Sequence, residues 1–273
     1  MDFELSDELK MLKQTARKFA ENELLPYEEM CEENDGLPPE IVKQIQTKAM
    51  EAGLNALTIP EEFGGAGYGT LADVIVSEEI TSVVSGSMAA LIPQPSSILL
   101  ACNEEQRKRF LIPAVNLEKQ ECFALTEPEA GSDAANIKTT AVKKGDKFVL
   151  NGTKRFISHG DSADFAIVFA ITDPSTRSST CFLVDKGTPG FNVGQTHETM
   201  GYRGYHQSEL VFEDCEVPEE NILGELHKGW NLSNEWLRNG RILTAGRCLG
   251  PAKRAINLAR DYSVQRVQFG QPV

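Results

Sequence analysis

The sequence lacks a cysteine framework. Its six cysteines, Cys31, Cys102, Cys122, Cys181, Cys215 and Cys248, form no CxxC pair and no regular spacing. That excludes a disulfide ladder and points to a reducing compartment. His159, His197, His206 and His227 occur in no HxH or HExxH pattern, so no metal site is indicated. No apolar run approaches the ~20 residues that span a bilayer, which argues against a membrane partner. Positive charge is short as well: 27 Lys and Arg stand against 40 Asp and Glu, a formal net charge of −13. Such a chain repels a polyanion at long range, which argues against nucleic acid as a general partner. A small anionic cofactor is not excluded, because it needs only local donors. The opening Met1-Asp2-Phe3-Glu4 has neither the basic start and apolar run of a signal peptide nor the arginines of a transit peptide. A cytoplasmic location is the simplest expectation, although a processed organellar protein would look the same. The acidic pairs Glu28-Glu29 and Glu32-Glu33 read as a solvated face.

What is present is enough for one large or two modest domains: 273 residues, 41% of them hydrophobic. The first 120 or so residues read as helical. Leu5, Leu9, Leu12, Ala16 and Phe19 recur at helical spacing, with Ser6 as N-cap and Asp7 and Glu8 in the first turn. Pro38 and Pro39 open a second helix carrying Ile41, Ile45 and Ala49, which Gly53 ends. A third begins near Thr70, the chain bends around Pro93 and Pro95, and a further helical stretch covers Glu104 to Phe110. The glycine-rich loop Ile59–Gly69 does not fit GxGxxG and follows no clear strand. It reads as a tight turn between helices and not as a nicotinamide-binding Rossmann site.

From Cys122 to about Val217 the hydrophobic period changes to two. Segments 121–126, 137–142, 147–157, 164–171, 180–185 and 208–213 are short and separated by turn chemistry such as Lys144-Gly145-Asp146 and Asn151-Gly152. Strands this close together indicate an antiparallel barrel or sandwich. Helix returns after Gly229, where Leu249, Ala252, Ile256 and Ala259 form an apolar packing stripe. Gly240, Gly246 and Gly250 would admit close backbone approach, and Pro251 should kink the helix.

The run Cys122-Phe123-Ala124-Leu125-Thr126-Glu127-Pro128-Glu129-Ala130-Gly131-Ser132-Asp133 carries the strongest chemical signal. An apolar strand offers a flat wall to a planar ring. The turn holding Gly131 and Ser132 offers N–H groups and a hydroxyl to an anion. A cofactor bearing both an aromatic ring and a pyrophosphate suits that pair of features. Two further segments accompany it. One is Asn151-Gly152-Thr153-Lys154-Arg155-Phe156-Ile157-Ser158-His159-Gly160, and the other is Arg266-Val267-Gln268-Phe269-Gly270.

In order and spacing, after an IPEEFGG-type loop and before a long helix, these segments resemble the acyl-CoA dehydrogenase family over nearly the whole chain. The resemblance implies an α+β architecture: an N-terminal α-helical domain over 1–120, a middle antiparallel β-barrel or sandwich domain over 121–226, and the start of a C-terminal helical bundle over 227–273. It implies FAD as cofactor, an acyl-CoA substrate, and electron-transfer flavoprotein or a similar acceptor as partner. A homo-oligomer, dimer or tetramer, or a hetero-oligomer goes with it, in a role in fatty acid metabolism. The reaction it implies is α,β-dehydrogenation of the thioester, or the reverse reduction, with hydride passing to flavin N5.

Carried over by position, Phe123, Leu125 and Thr126 match residues lining the isoalloxazine. Gly131 and Ser132 match the pyrophosphate contact, with Ser132 also near the pantetheine arm. Phe156 matches an aromatic covering one flavin face, and Ser158 a hydroxyl near N5. Arg266, Gln268 and Phe269 match a segment reaching the FAD of a neighbouring subunit, and Arg241 a basic position near the substrate. Ordinary turn and strand hydrogen bonding is the competing role for Thr126, Ser132 and Ser158. Core packing is the competing role for Phe156, a solvated charge for Arg241, and a helix salt bridge for Arg266.

No catalytic residue is assigned. The family's base is a Glu in the later part of the bundle, or in some members just before the arginine, where this sequence has Gly240. Glu235, five residues earlier, belongs to another helix face. The base is expected in the C-terminal segment absent from this sequence. The alternative is a non-catalytic or half-site subunit whose partner supplies the catalytic Glu. An oxidase passing electrons directly to O₂ is a third possibility. Leu91-Ile92-Pro93-Gln94-Pro95-Ser96-Ser97 falls where the family shapes its acyl pocket.

Overall fold

The computed structural model describes residues 3–273; the dipeptide Met1-Asp2, part of the localisation reading, lies outside them. Two compact units partition the chain. One comprises the described residues up to Thr58, Ala66–Pro93 and Asn239–Val273, and the other Ile59–Gly65 and Gln94–Arg238.

The first unit is helical. Helix α1 (Asp7–Phe19) starts as the pattern predicts: the Ser6 hydroxyl accepts the Leu9 N–H at 3.3 Å, and Leu12, Ala16 and Phe19 are buried. A π-helical turn (Ala20–Leu24) leads toward α2 (Glu28–Asn34) and α3 (Pro39–Glu51). Gly53, at φ +67°, ends the last of these in the left-handed region. Helices α4 (Thr70–Thr81) and α5 (Gly86–Ala89) complete the set before the chain leaves this unit. Leu12, Ala16, Phe19, Ile45, Ala49, Val76 and Ile80 share one core.

The acidic face expected over 28–33 is not uniformly solvated. Glu28 accepts two hydrogen bonds from Arg254, because α2 folds against the returning C-terminal helix. That helix, α8 (Gly229–Gln265), continues through Pro251. Gly250 meets α4 so closely that a Cβ would lie 2.0 Å from Thr81 Oγ1, and Gly246 approaches Val74. Gly240 differs from the expectation, since nothing lies within 4 Å of its missing Cβ. The expected packing stripe is also exposed in this chain, with Leu249 at 53% and Ile256 at 67%.

The second unit contains two short helices, α6 (Glu104–Gln106) and α7 (Ile112–Val115), joined by a π-helical turn, followed by the sheet. Its strands are β1 (Glu121–Ala124), β2 (Thr140–Lys144), β3 (Lys147–Ser158), β4 (Phe165–Asp173), β5 (Ser178–Asp185), β6 (Phe191–His197), β7 (Gln207–Pro218) and β8 (Ile222–Leu223). Their order is β6-β7-β3-β2-β4-β5-β8, with β1 on β4. Most neighbours are antiparallel, as the turn spacing predicts. The β1–β4 and β2–β4 contacts are parallel.

Because β5 occupies one edge of β4, β1 and β2 share the other. β1 runs along Phe165 to Val168, and β2 joins at Ile171. Residues 125–139 are therefore an excursion that leaves this edge and returns to it. Inward side chains such as Phe148, Leu150, Phe182, Leu210 and Phe212 form the core beneath. Among the described residues no helix is long and apolar enough to cross a membrane.

Candidate functional site

The excursion between β1 and β2 holds four of the candidate residues, Leu125, Thr126, Gly131 and Ser132. It is pinned from below by Glu127, which is buried. The Glu127 carboxylate accepts the N–H groups of Lys138 at 2.6 Å and Thr139 at 3.0 Å, and the ammonium of Lys154 at 2.8 Å. Lys154 is fully buried and also donates to the Leu125 carbonyl at 3.1 Å. Burial pushes the Lys154 amine down to about 8, against the pull of Glu127. Burial alone would raise the Glu127 carboxyl. The Lys154 charge and the three bonds outweigh that and hold it below the ordinary carboxylate range.

Above this pair the chain makes a small closed turn, with Glu127 and Ala130 exchanging N–H···O bonds of 3.0 and 3.2 Å. Gly131 and Ser132 follow it on the surface. Nothing lies within 4 Å of the position a Gly131 Cβ would take, so the backbone there is open to approach.

The second segment comes from β3. A register shift against β7 between Lys154 and Ile157 takes Arg155 and Phe156 out of the ladder. The Arg155 N–H turns instead to the Thr126 carbonyl at 2.8 Å. Phe156 adopts φ +58°, an uncommon conformation for a bulky residue, and the residue is 52% exposed. Thr126, Phe156 and Ser158 are thereby brought to neighbouring backbone positions. The hydroxyls of Thr126, Ser132 and Ser158 make no hydrogen bond to another described residue, so all three are available to a ligand.

Phe123 is packed more tightly than a bare wall. Its ring stacks on Trp236 with centroids 4.0 Å apart and tilts against Phe169 at 5.1 Å. Leu125 is buried, and its carbonyl is committed to Lys154. Arg241 is exposed on the part of α8 that belongs to the helical unit. Arg266, Gln268 and Phe269 also belong to that unit. They form or border a hairpin of β9 (Val267–Gln268) and β10 (Gln271–Pro272), with Phe269 exposed at φ +51° in the turn.

Glu127, Lys154 and Trp236 were not singled out by sequence. The available signal was parity: Lys154 occupies the same inward phase of β3 as Phe148 and Leu150, and an inward lysine requires a carboxylate.

Three family models match the chain in sequence order. The acyl-CoA dehydrogenase N-terminal domain covers residues 6–118, the middle domain 122–215 and the C-terminal domain 227–273. The acryloyl-CoA reductase (NADH) of Anaerotignum propionicum is 40% identical over 280 residues, covering 100% of this chain and 70% of that protein. The caffeyl-CoA reductase-Etf complex subunit CarC of Acetobacterium woodii is 37% identical over 276 residues, covering 98% of this chain and 72% of the relative. The structure of butyryl-CoA dehydrogenase from Megasphaera elsdenii superposes with a TM-score of 0.88 at 36% identity, covering 100% of this chain and 73% of that one. The match runs from the N-terminal helices through the pinned excursion and the β3 bulge to α8, and on it the chain belongs to the acyl-CoA dehydrogenase family.

Proposed function

We propose that this chain carries the flavin- and thioester-binding part of an FAD-dependent enzyme that removes the α and β hydrogens of an acyl-CoA, or adds them in reverse. One observation carries the reading. The Arg155-to-Thr126 backbone bond joins the two candidate segments and leaves three hydroxyls, an exposed aromatic ring and an open glycine turn on the same unit. That set fits FAD: donors for a diphosphate, hydroxyls for the edge of a heterocycle, and a ring to lie against it.

FAD, when bound, supplies the N5 position that accepts or returns the hydride of the β carbon. The chain's own residues bind and orient. Gly131 and Ser132 offer backbone N–H groups and a hydroxyl to the diphosphate, with Ser132 shared with the pantetheine arm. Thr126 and Ser158 hydrogen-bond the heterocycle, Phe156 covers one face, and Phe123 and Leu125 back the site. Arg241 holds the substrate, and Arg266, Gln268 and Phe269 serve the FAD of a neighbouring subunit in an oligomer. Gly240, where some members of the family carry the base, offers no carboxylate, so this reading assigns proton abstraction to a Glu later in the bundle or on a partner subunit. The thioester carbonyl must be hydrogen-bonded as charge develops on its oxygen, or the α proton is too weakly acidic to remove. The electron-transfer partner in this reading is an electron-transfer flavoprotein or a similar carrier, in keeping with the Etf complex named for the Acetobacterium woodii relative.

The test is anaerobic titration of the flavin-loaded, full-length protein with saturated acyl-CoA thioesters of graded length. Bleaching of the visible flavin bands by one of them, reversed by the matching enoyl-CoA, is expected. Bleaching that requires a second, co-purified chain would assign the carboxylate to a partner. Absence of bleaching with every thioester, alone and with the co-purified chain, would contradict the proposal.

A further inference from the structure

Glu127 and Lys154 join three parts of the sheet unit that are distant in sequence: the β1 exit, the lead into β2, and β3 just before its bulge. Their contacts bracket the candidate segments. Leu125, whose carbonyl takes the Lys154 ammonium, and Glu127 flank Thr126 on both sides. Lys154 immediately precedes Arg155, whose N–H donates to Thr126.

A buried ion pair is a poor source of stability, since desolvation offsets most of the attraction and an apolar pair of similar size serves as well. What it supplies here is geometry. A carboxylate with three donors and an ammonium with two acceptors fix each other's positions through several directional bonds. They sit where the backbone most needs constraint, beside Phe156 at φ +58° and the register shift that frees the Arg155 N–H. A bulky residue in that conformation persists only where its surroundings over-determine it.

We propose that the Glu127–Lys154 pair is a positioning element, one that sets Thr126 on one segment and Phe156 and Ser158 on the other at the spacing the isoalloxazine requires. The proposal rests on the flavin reading above. It goes further by assigning the register of the two segments to a pair that itself touches no cofactor.

The experiment compares full-length wild type with Glu127→Asp, which keeps the charge but shortens the reach, and with the double variant E127Q/K154M, which removes both charges together. Two readouts are taken. The first is amide hydrogen exchange at Arg155 and Thr139 in flavin-free protein. The second is the FAD dissociation constant with the visible absorption spectrum of the bound flavin.

In Glu127→Asp, faster exchange at both amides is expected, with FAD binding weakened about tenfold and the flavin bands shifted. In the double variant, a thermal midpoint close to wild type is expected, with FAD affinity and spectrum still perturbed. Wild-type exchange, affinity and spectrum in Glu127→Asp would overturn the proposal. So would a double variant that recovers spectrum and affinity along with stability, because the pair would then be structural only. A wild type that takes up no FAD would instead overturn the flavin reading. The exchange data would then still decide whether the pair holds the two segments together.

Discussion

Glu28 and Arg254 are 226 positions apart and meet in two charge-assisted hydrogen bonds of 2.8 and 2.7 Å. The Ser85 N–H also donates to Glu28 at 2.5 Å. Burial raises the Glu28 carboxyl, but Arg254 and the Ser85 N–H outweigh it, leaving it below its ordinary value and the Arg254 guanidinium above. A depressed carboxylate stabilises the fold above its unfolded pKa and loses that contribution as pH falls through the folded value. Glu28→Gln is therefore expected to cost about 1–2 kcal/mol near neutral pH. The difference from wild type should close below the ordinary carboxylate range. Thermal unfolding of both proteins across acid pH checks this, and a gap that widens toward low pH would contradict it.

Glu121 shows the opposite sign. Its Oε1 accepts the Ser96 N–H, while its Oε2 and the Ser96 hydroxyl are buried without partners among the described residues. Burial pushes the carboxyl up from 4.5 to about 7, with the Ser96 bond only partly opposing. Between those values the unfolded chain releases a proton that the folded chain keeps. Stability from this group is thus complete below 4.5 and is lost as pH rises to about 7. Glu121→Gln should flatten that slope and leave the variant more stable at pH ~8 by at most about 3 kcal/mol. Urea melts at several pH values measure it.

Phe156 combines a positive φ with an exposed ring. Phe156→Gly removes the left-handed penalty, about 1–2 kcal/mol for a residue with a Cβ, and loses the ring contacts to Arg155 and His197. The flavin-free protein is expected to be as stable as wild type or up to about 1 kcal/mol more so, with FAD affinity reduced about tenfold. Denaturant unfolding paired with FAD titration separates the two effects. A large loss of stability would make the ring a core residue.

Ser132 is exposed and its hydroxyl has no partner among the described residues. Ser132→Ala should leave stability within ~0.5 kcal/mol of wild type, as for a surface change. FAD or CoA retention should fall several-fold, read by equilibrium dialysis of each ligand. Unchanged retention of both would remove Ser132 from the site.

The helices were legible where local chemistry and periodicity agree: Ser6 caps α1, Pro39 opens α3, and Thr70 begins α4. The strands with buried inward residues were legible for the same reason. β6 was missed because Phe191–His197 is exposed along most of its length, so no apolar alternation marks it. α2 buries only Cys31 and reads as a charge cluster. The segments 123–132 and 156–158 were legible as motifs, but the bond that unites them was not. A register shift and a positive φ at Phe156 are set by tertiary contacts. Glu127 and Lys154 lie within those motifs, and the parity of β3 marks Lys154 as inward, but only the folded sheet brings the two together as a buried pair.

The most direct measurement is the visible absorption spectrum of the purified full-length protein, with the cofactor released by denaturation and counted against protein. Stoichiometric FAD, either retained on purification or taken up on titration, is the expected result. A colourless protein that acquires no flavin at saturating FAD would contradict the assignment of residues 123–132 and 156–158 as its binding site.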